Sequence, residues 1–251
     1  MLLRLRSGQG VSLAALLVLA IAASSCHGVL KKEYEYEEEL YLDLDGSATL
    51  YVNASVPALV ALRGVDLNTN PRARFDRQRV RAIFEGEHVT VRTPTTSRRN
   101  GRRFIHVRVD ADRLADLQRL APFAWSTYSM RRRDEVIEFR QVVGAPAARA
   151  IGDVGWTGEE LVAFRMHLPS EIPYHNAPSH KVQRGNILEW EQLLTDRLKG
   201  APLDIQAHMT TQSILYSTLL LFGGTILAAA ATFAIVIWWI ARKGRNIELI
   251  A

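Results

Sequence analysis

Three histidines and one acid lie close enough along the chain to raise the question of a metal: His167, His175 and His180, with Glu171 among them. Their gaps of eight and five residues repeat none of the spacings by which zinc sites place ligands on one helical face or one loop. His167 also falls on the polar side of an alternating segment. A nucleophile is no easier to place. The chain holds one cysteine, Cys26, and no GxSxG, HExxH, Walker or GxGxxG stretch. The most distinctive polar loop is Leu168 to Pro178 (LPSEIPYHNAP), where prolines stiffen a run offering Tyr174, His175 and Asn176 as hydrogen-bonding groups toward a ligand or partner. Two basic clusters complete the inventory: Arg98, Arg99, Arg102 and Arg103 around Asn100-Gly101, and Arg131 to Arg133. Neither has the interleaved aromatics of a single-strand nucleic-acid platform. The pattern implies no catalytic residue, cofactor, metal or nucleic-acid partner.

The two ends of the chain explain where such groups would work. Arg4 and Arg6 precede an apolar run from Val11 to Ala23, roughly 20 Å as a helix and too short to cross a bilayer. A charged start, a short apolar stretch and then small residues describe a secretory signal peptide over residues 1–25. Ala23-Ser24-Ser25-Cys26 resembles the lipobox of bacterial lipoproteins. With a single Cys no intrachain disulfide can form, so Cys26 is expected to be a lipidation site. Leu219 to Ile240 carries no charge over 22 residues, roughly 33 Å of helix. Tyr216 at one edge and Trp238-Trp239 at the other suit the headgroup level. Arg242, Lys243 and Arg245 mark the cytoplasmic side. The expected layout is an extracytoplasmic domain over 26–212, a transmembrane helix over 213–241 and a cytoplasmic tail over 242–251.

A net charge of +5 invites an acidic partner, but the excess sits mostly in these topology signals. Between Cys26 and the span, 26 basic residues face 25 acidic ones. Glu33 to Asp45 holds seven acids and no base, while Arg63 to Arg133 holds 17 bases and seven acids. Either the two stretches neutralise one another across the fold, or the basic one faces anionic headgroups through Arg98, Arg99, Arg102 and Arg103.

The elements that must position these groups read as one α+β domain, antiparallel sheet with short helices. Leu40 to Val56 is a hairpin about Asp45-Gly46, and a three-residue loop sets Leu42 opposite Leu50 and Leu40 opposite Val52. Ser55 and Asp76 are helix caps, with Gly64 and Gly86 as stops. His88–Arg92 and Phe104–Val109 alternate as strands, the latter entered through Asn100-Gly101. Ala111 to Ala121 has helical spacing of Leu114, Leu117 and Leu120. Strands are expected near Phe123–Ser129, Glu135–Val143, Leu161–Leu168, up to Trp190, and over Leu203–Met209. Only about nine residues then separate Met209 from the apolar core of the span, so the domain sits low on the membrane. Cys26 lies 14 residues before Leu40, within reach of the same surface, which would set the two anchors close together.

The layout of Cys26, the LYLDLDGSATLYV hairpin, the late RGNILEWEQLLTDRL segment and a terminal helix with a basic tail resembles the LppM-type bacterial lipoproteins and relatives with a C-terminal span. The resemblance implies a β-rich extracytoplasmic domain and supplies no catalytic residues. The expected function is a non-enzymatic envelope module that binds membrane lipid, a wall component or a membrane protein partner. An accessory subunit of a larger membrane complex is the alternative, and an enzyme of unrecognised type is a third.

Overall fold

The computed structural model describes residues 32–248, and Cys26 lies outside them. The described residues form an α+β domain followed by one long apolar helix. The chain runs β1 (Tyr34–Leu42), β2 (Ala48–Ser55), α1 (Val56–Arg63), α2 (Arg77–Phe84), β3 (Val89–Val91), β4 (Thr95–Arg99), β5 (Arg102–Ala111), α3 (Leu114–Leu117) and β6 (Ser126–Arg133). It continues with β7 (Val136–Val143), β8 (Leu161–His167), β9 (Tyr174–His175), β10 (Ile187–Leu193), α4 (Leu194–Leu198), β11 (Leu203–Thr210) and α5 (Ile214–Glu248).

Two sheets form. The larger has the order β10-β8-β1-β2-β5-β3, with β4 sharing the outer edge of β5 beside β3. All its neighbours are antiparallel except β1 and β8. The smaller is the antiparallel array β6-β7-β11-β9. Alternate residues of both sheets feed one core: Leu40, Leu50, Val107 and Met166 from the first, Ile137, Phe139, Ile205 and Met209 from the second. Helix α1 has no polar residue before Arg63, and all eight of its residues are buried, as expected of a helix apolar on every side. Ser55 Oγ accepts the Ala58 N–H at its start, and Gly64 at φ 68° closes it in a left-handed conformation.

The first hairpin corrects the expected register. Leu40 pairs with Leu50 and Leu42 with Ala48, two residues away from the expected pairing. The loop is five residues, Asp43 to Ser47, closed by the Asp43 N–H to the Ser47 carbonyl at 3.0 Å. The Ser47 hydroxyl, and with it the Ser47 N–H, donates to Asp45 Oδ1 and holds the Asp45 carboxyl below its ordinary pKa; Gly46 takes φ 90°. A shift of two leaves every side chain on its expected face, because side chains alternate with period two, so apolar alternation cannot separate the two registers. The longer loop releases Leu44 from the sheet.

Other boundaries move for similar reasons. The helix expected over Ala111–Ala121 shrinks to the single turn α3, because β5 extends to Ala111. The arginines at 131–133 belong to strand β6, with the turn one step later at Asp134-Glu135. Strand β1 begins at Tyr34 rather than Leu40, with Glu35 and Glu38 buried at strand positions.

Helix α5 is long and apolar enough to cross a membrane over Ile214–Ile240, 27 residues with a mean hydropathy of 2.3 in its most apolar window. It spans about 40 Å at 1.5 Å per residue. The helix continues through the expected tail as far as Glu248. Its root is tied to the domain: Ser213 bridges Ser170, and the Ile214 N–H reaches the Pro169 carbonyl at 3.1 Å. Only Thr211 to Ser213 separate β11 from the helix.

Candidate functional site

The sheet register tells which end of the domain the span leaves. The span's root binds Pro169, just beyond the end of β8; β8 ends beside Tyr41; β1 turns through Asp43–Ser47 into β2, whose Ala48 pairs with Ala111 at the end of β5. On the second sheet Thr210 pairs with Val136, and the Thr211 N–H donates to the Glu135 carbonyl. The β1–β2 loop, the β6–β7 turn, α3 and the root of the span therefore share one end. The β4–β5 hairpin lies at the other, roughly 30 Å away along the ten residues of β5.

A pocket opens at the span's end, with a volume of about 330 Å³. Its wall is built from the residues that this topology brings together. Tyr128, Met130 and Arg132 come from one face of β6, Ile137 from β7, Leu44 to Gly46 from the β1–β2 loop, and Arg113 to Ala115 from the start of α3. The released Leu44 is thus part of the wall. The lining is mainly apolar, while two guanidinium groups, Arg113 and Arg132, stand beside it. Asp116 takes up Arg113 at 3.2 Å; Arg132 has no carboxylate partner among the described residues. The volume falls in the range of small-molecule sites, and an apolar wall with a few polar groups is their usual composition.

Behind the pocket lies a buried polar cluster that the sequence concealed. Glu38, 2 % exposed, points into the core from β1. Its Oε2 accepts the Tyr36 hydroxyl and Arg63 Nη2, both at 2.7 Å. Its Oε1 accepts the Tyr128 hydroxyl and Gln141 Nε2, both at 2.9 Å. Burial holds the phenols of Tyr36 and Tyr128 well above their ordinary pKa, so both remain donors. The Arg63 guanidinium also lies over the Trp125 ring at 3.3 Å. Tyr128 thus links the pocket wall to the carboxylate that neutralises Arg63.

The candidate residues read from sequence do not converge on this site. Tyr174 and His175 form β9, a two-residue strand clipped to β11. Tyr174 is 46 % exposed and packs against His208. Asn176 is a brace: its Oδ1 accepts Trp190 Nε1 and the Gln206 N–H, and its Nδ2 donates to the Asp204 carbonyl. With its side chain so engaged, Asn176 is not a ligand-facing group. Trp190 is core, as its alternation with Leu188 suggests. His167 stacks on Tyr41 at 3.9 Å and pairs with Glu39.

The basic candidates are also redistributed. Arg102 is buried against Glu35 at 3.0 Å and cannot touch a surface. Arg98, Arg99 and Arg103 remain at the domain's edge, but at the end away from the span. The acidic and basic stretches do pair in part, through Glu35 with Arg102 and Glu38 with Arg63; Glu37 goes instead to Arg165 and Glu39 to His167. On α5, Tyr216, Trp238 and Trp239 are exposed near the two ends of the apolar stretch, and Arg242 lies 5.2 Å from the Trp238 ring. The side chains of Lys243 and Arg245 lie outside the described residues.

The pocket would have been hard to find from sequence. Leu44, Met130 and Ile137 read in the sequence as ordinary apolar residues, and only their meeting at one end makes a cavity. The architecture is that of an α+β domain set directly on an apolar helix. Its fold is similar to the NMR structure of the folded domain of the Mycobacterium tuberculosis LppM protein, with a TM-score of 0.40 and 12 % identity over 73 % of this chain and 94 % of that one. No protein-family model matches the sequence, and no curated protein matches it.

Proposed function

We propose that this protein is a membrane-anchored, extracytoplasmic and non-enzymatic module that accommodates part of an anionic amphiphile, one acyl chain in the pocket and its headgroup against Arg132. The observation that carries this reading is the position of the apolar pocket, at the same end of the domain as the root of the span. Three linking residues leave little room between that end and the headgroups. An amphiphile could then enter with its apolar part never far from hydrocarbon, while the cationic rim selects the charge of its head. The orientation follows from the export signal and from Arg242, Lys243 and Arg245 after the span.

A lipid on Cys26 fits this reading with one geometric consequence. Strand β1 starts at the end away from the span, and only seven residues separate Cys26 from Tyr34, a reach of at most roughly 28 Å. That is about the length of β1 itself. For Cys26 to be anchored in the leaflet that the helix enters, that reach must cover the length of the domain.

Native mass spectrometry of the full-length protein in mild detergent tests the pocket. The wild type should retain a bound anionic lipid. Ala115 is exposed in the pocket wall, so Ala115→Trp should obstruct the cavity without disturbing the core. The variant should lose the lipid and keep its unfolding midpoint. Retention at the wild-type level would contradict the reading.

A further inference from the structure

Arginines on most of this surface are matched to acids. Arg108 pairs with Asp110, Arg133 with Glu138, Arg140 with Asp204, and Arg165 with both Glu37 and Glu189. Arg132 departs from this pattern singly at the span's end; toward the end of the domain away from the span the departure is a cluster. Arg72, Arg74, Arg77, Arg98 and Arg103 have no carboxylate partner among the described residues. They are also neighbours. Arg98 and Arg103 both donate to the single carbonyl oxygen of Pro71, at 3.0 and 2.8 Å, and Arg103 lies 6.0 Å from the Phe75 ring. Arg74 and Arg77 line an open groove with Phe75, Gln78 and Thr96. Asp76 also lines this groove, engaged as the cap of α2 by accepting the Gln78 and Arg79 N–H groups, and Asp66 is taken up beside it by Arg79.

Two guanidinium groups converging on one neutral oxygen repel each other, and an anion between them would relieve that repulsion. Guanidinium is also the side chain whose fork of donors matches phosphate oxygens. The groove offers no exposed large apolar side chain, whereas protein interfaces centre on buried aromatic or aliphatic anchors. It offers no stack of aromatics for bases either, since Phe75 is half-buried near Arg103. Thr96 in the groove pairs with Ile105, so the groove lies roughly 20 Å along β5 from the span's end of that strand, more than two Debye lengths at physiological salt.

We propose that this surface binds a linear polyanion with repeated phosphate groups, lying beyond the headgroup layer, with Arg98 and Arg103 bridging one phosphate and Arg72, Arg74 and Arg77 meeting its neighbours. The inference does not depend on the pocket. It gives the domain two working ends, one at the membrane and one directed away from it.

The test uses the full-length protein in nanodiscs of zwitterionic lipid and fluorescently labelled medium-chain inorganic polyphosphate, with binding read by anisotropy. The wild type should bind, and the logarithm of its association constant should fall linearly with the logarithm of salt concentration. Replacing Arg72, Arg74 and Arg77 together with Ser should weaken binding about tenfold and reduce the salt slope by roughly 2, as three lost phosphate contacts require. Lys181→Ser with Arg184→Ser removes two exposed charges elsewhere and should leave affinity within about twofold. Orthophosphate at equal total phosphate should compete poorly, since a chain engages several arginines at once. The proposal is overturned if the triple variant binds polyphosphate as the wild type does, or if orthophosphate competes equally. It is also overturned if the three arginines matter only for binding to nanodiscs of anionic lipid, which would return the surface to membrane docking.

Discussion

Glu38→Ala should lower the unfolding free energy of the domain by about 3–5 kcal/mol, the range for breaking a buried ion pair by removing one partner. The substitution leaves the Arg63 guanidinium, 1 % exposed, without its counter-charge. It also strips the acceptor from Tyr36 and Tyr128 and leaves Gln141 Nε2 with the Ser126 hydroxyl at 3.4 Å. Arginine cannot shed its proton to escape, as a buried lysine can. Denaturant titration of the full-length protein in a non-ionic detergent, followed by tryptophan fluorescence, measures the loss. The double variant Glu38→Leu with Arg63→Met should be less destabilised than the sum of the two single variants, because it removes both charges together. Strict additivity would mean that the two groups do not depend on each other. Because Tyr128 stands both in this cluster and in the pocket wall, Glu38→Ala should also loosen lipid retention.

Leu50→Ala should cost about 2–5 kcal/mol, since the side chain is fully buried and its removal leaves a cavity between the sheets. Its neighbour Thr49 sits on the outer face and makes one side-chain bond, to Asp110 at 2.8 Å. Thr49→Ala should therefore cost about 1 kcal/mol. The same denaturation experiment separates them. Similar losses at positions 49 and 50 would contradict the facing of β2. The contrast tests which face is buried; the register, Leu40 against Leu50, is tested by a disulfide between cysteines placed at those two positions.

The elements most legible in the sequence were those with local chemistry. Ser55, Gly64 and Asp76 mark helix ends through short-range hydrogen bonds and backbone conformation, and the structure places them where those rules require. The apolar helix was equally plain, because length and the absence of charge suffice. Strand β1 was half hidden: Tyr34 to Leu42 alternates, but Glu38 occupies an inward position, and a buried carboxylate makes sense only once Arg63 and Tyr128 arrive from distant parts of the chain. The hairpin register failed for a different reason, since alternation repeats every two residues and so does the ambiguity. The pocket depended on both of these points. Its wall needs the five-residue loop that frees Leu44, and it needs β6 brought beside that loop, neither of which a local pattern encodes. The arginines at 98, 99, 102 and 103 look equivalent in sequence; alternation along β5 buries one of them, and the length of that strand decides how far the others lie from the span.

An acyl chain in the pocket at the root of the span should be within reach of a photoreactive lipid. The most direct measurement is photo-crosslinking of the full-length protein in bilayers that contain an anionic phospholipid with a diazirine on its acyl chain, with adducts mapped by mass spectrometry. Adducts should appear in α5, and also on peptides carrying Leu114 and Met130. In Ala115→Trp the pocket adducts should disappear while those in α5 remain as an internal control. Wild-type adducts confined to α5 would contradict the account.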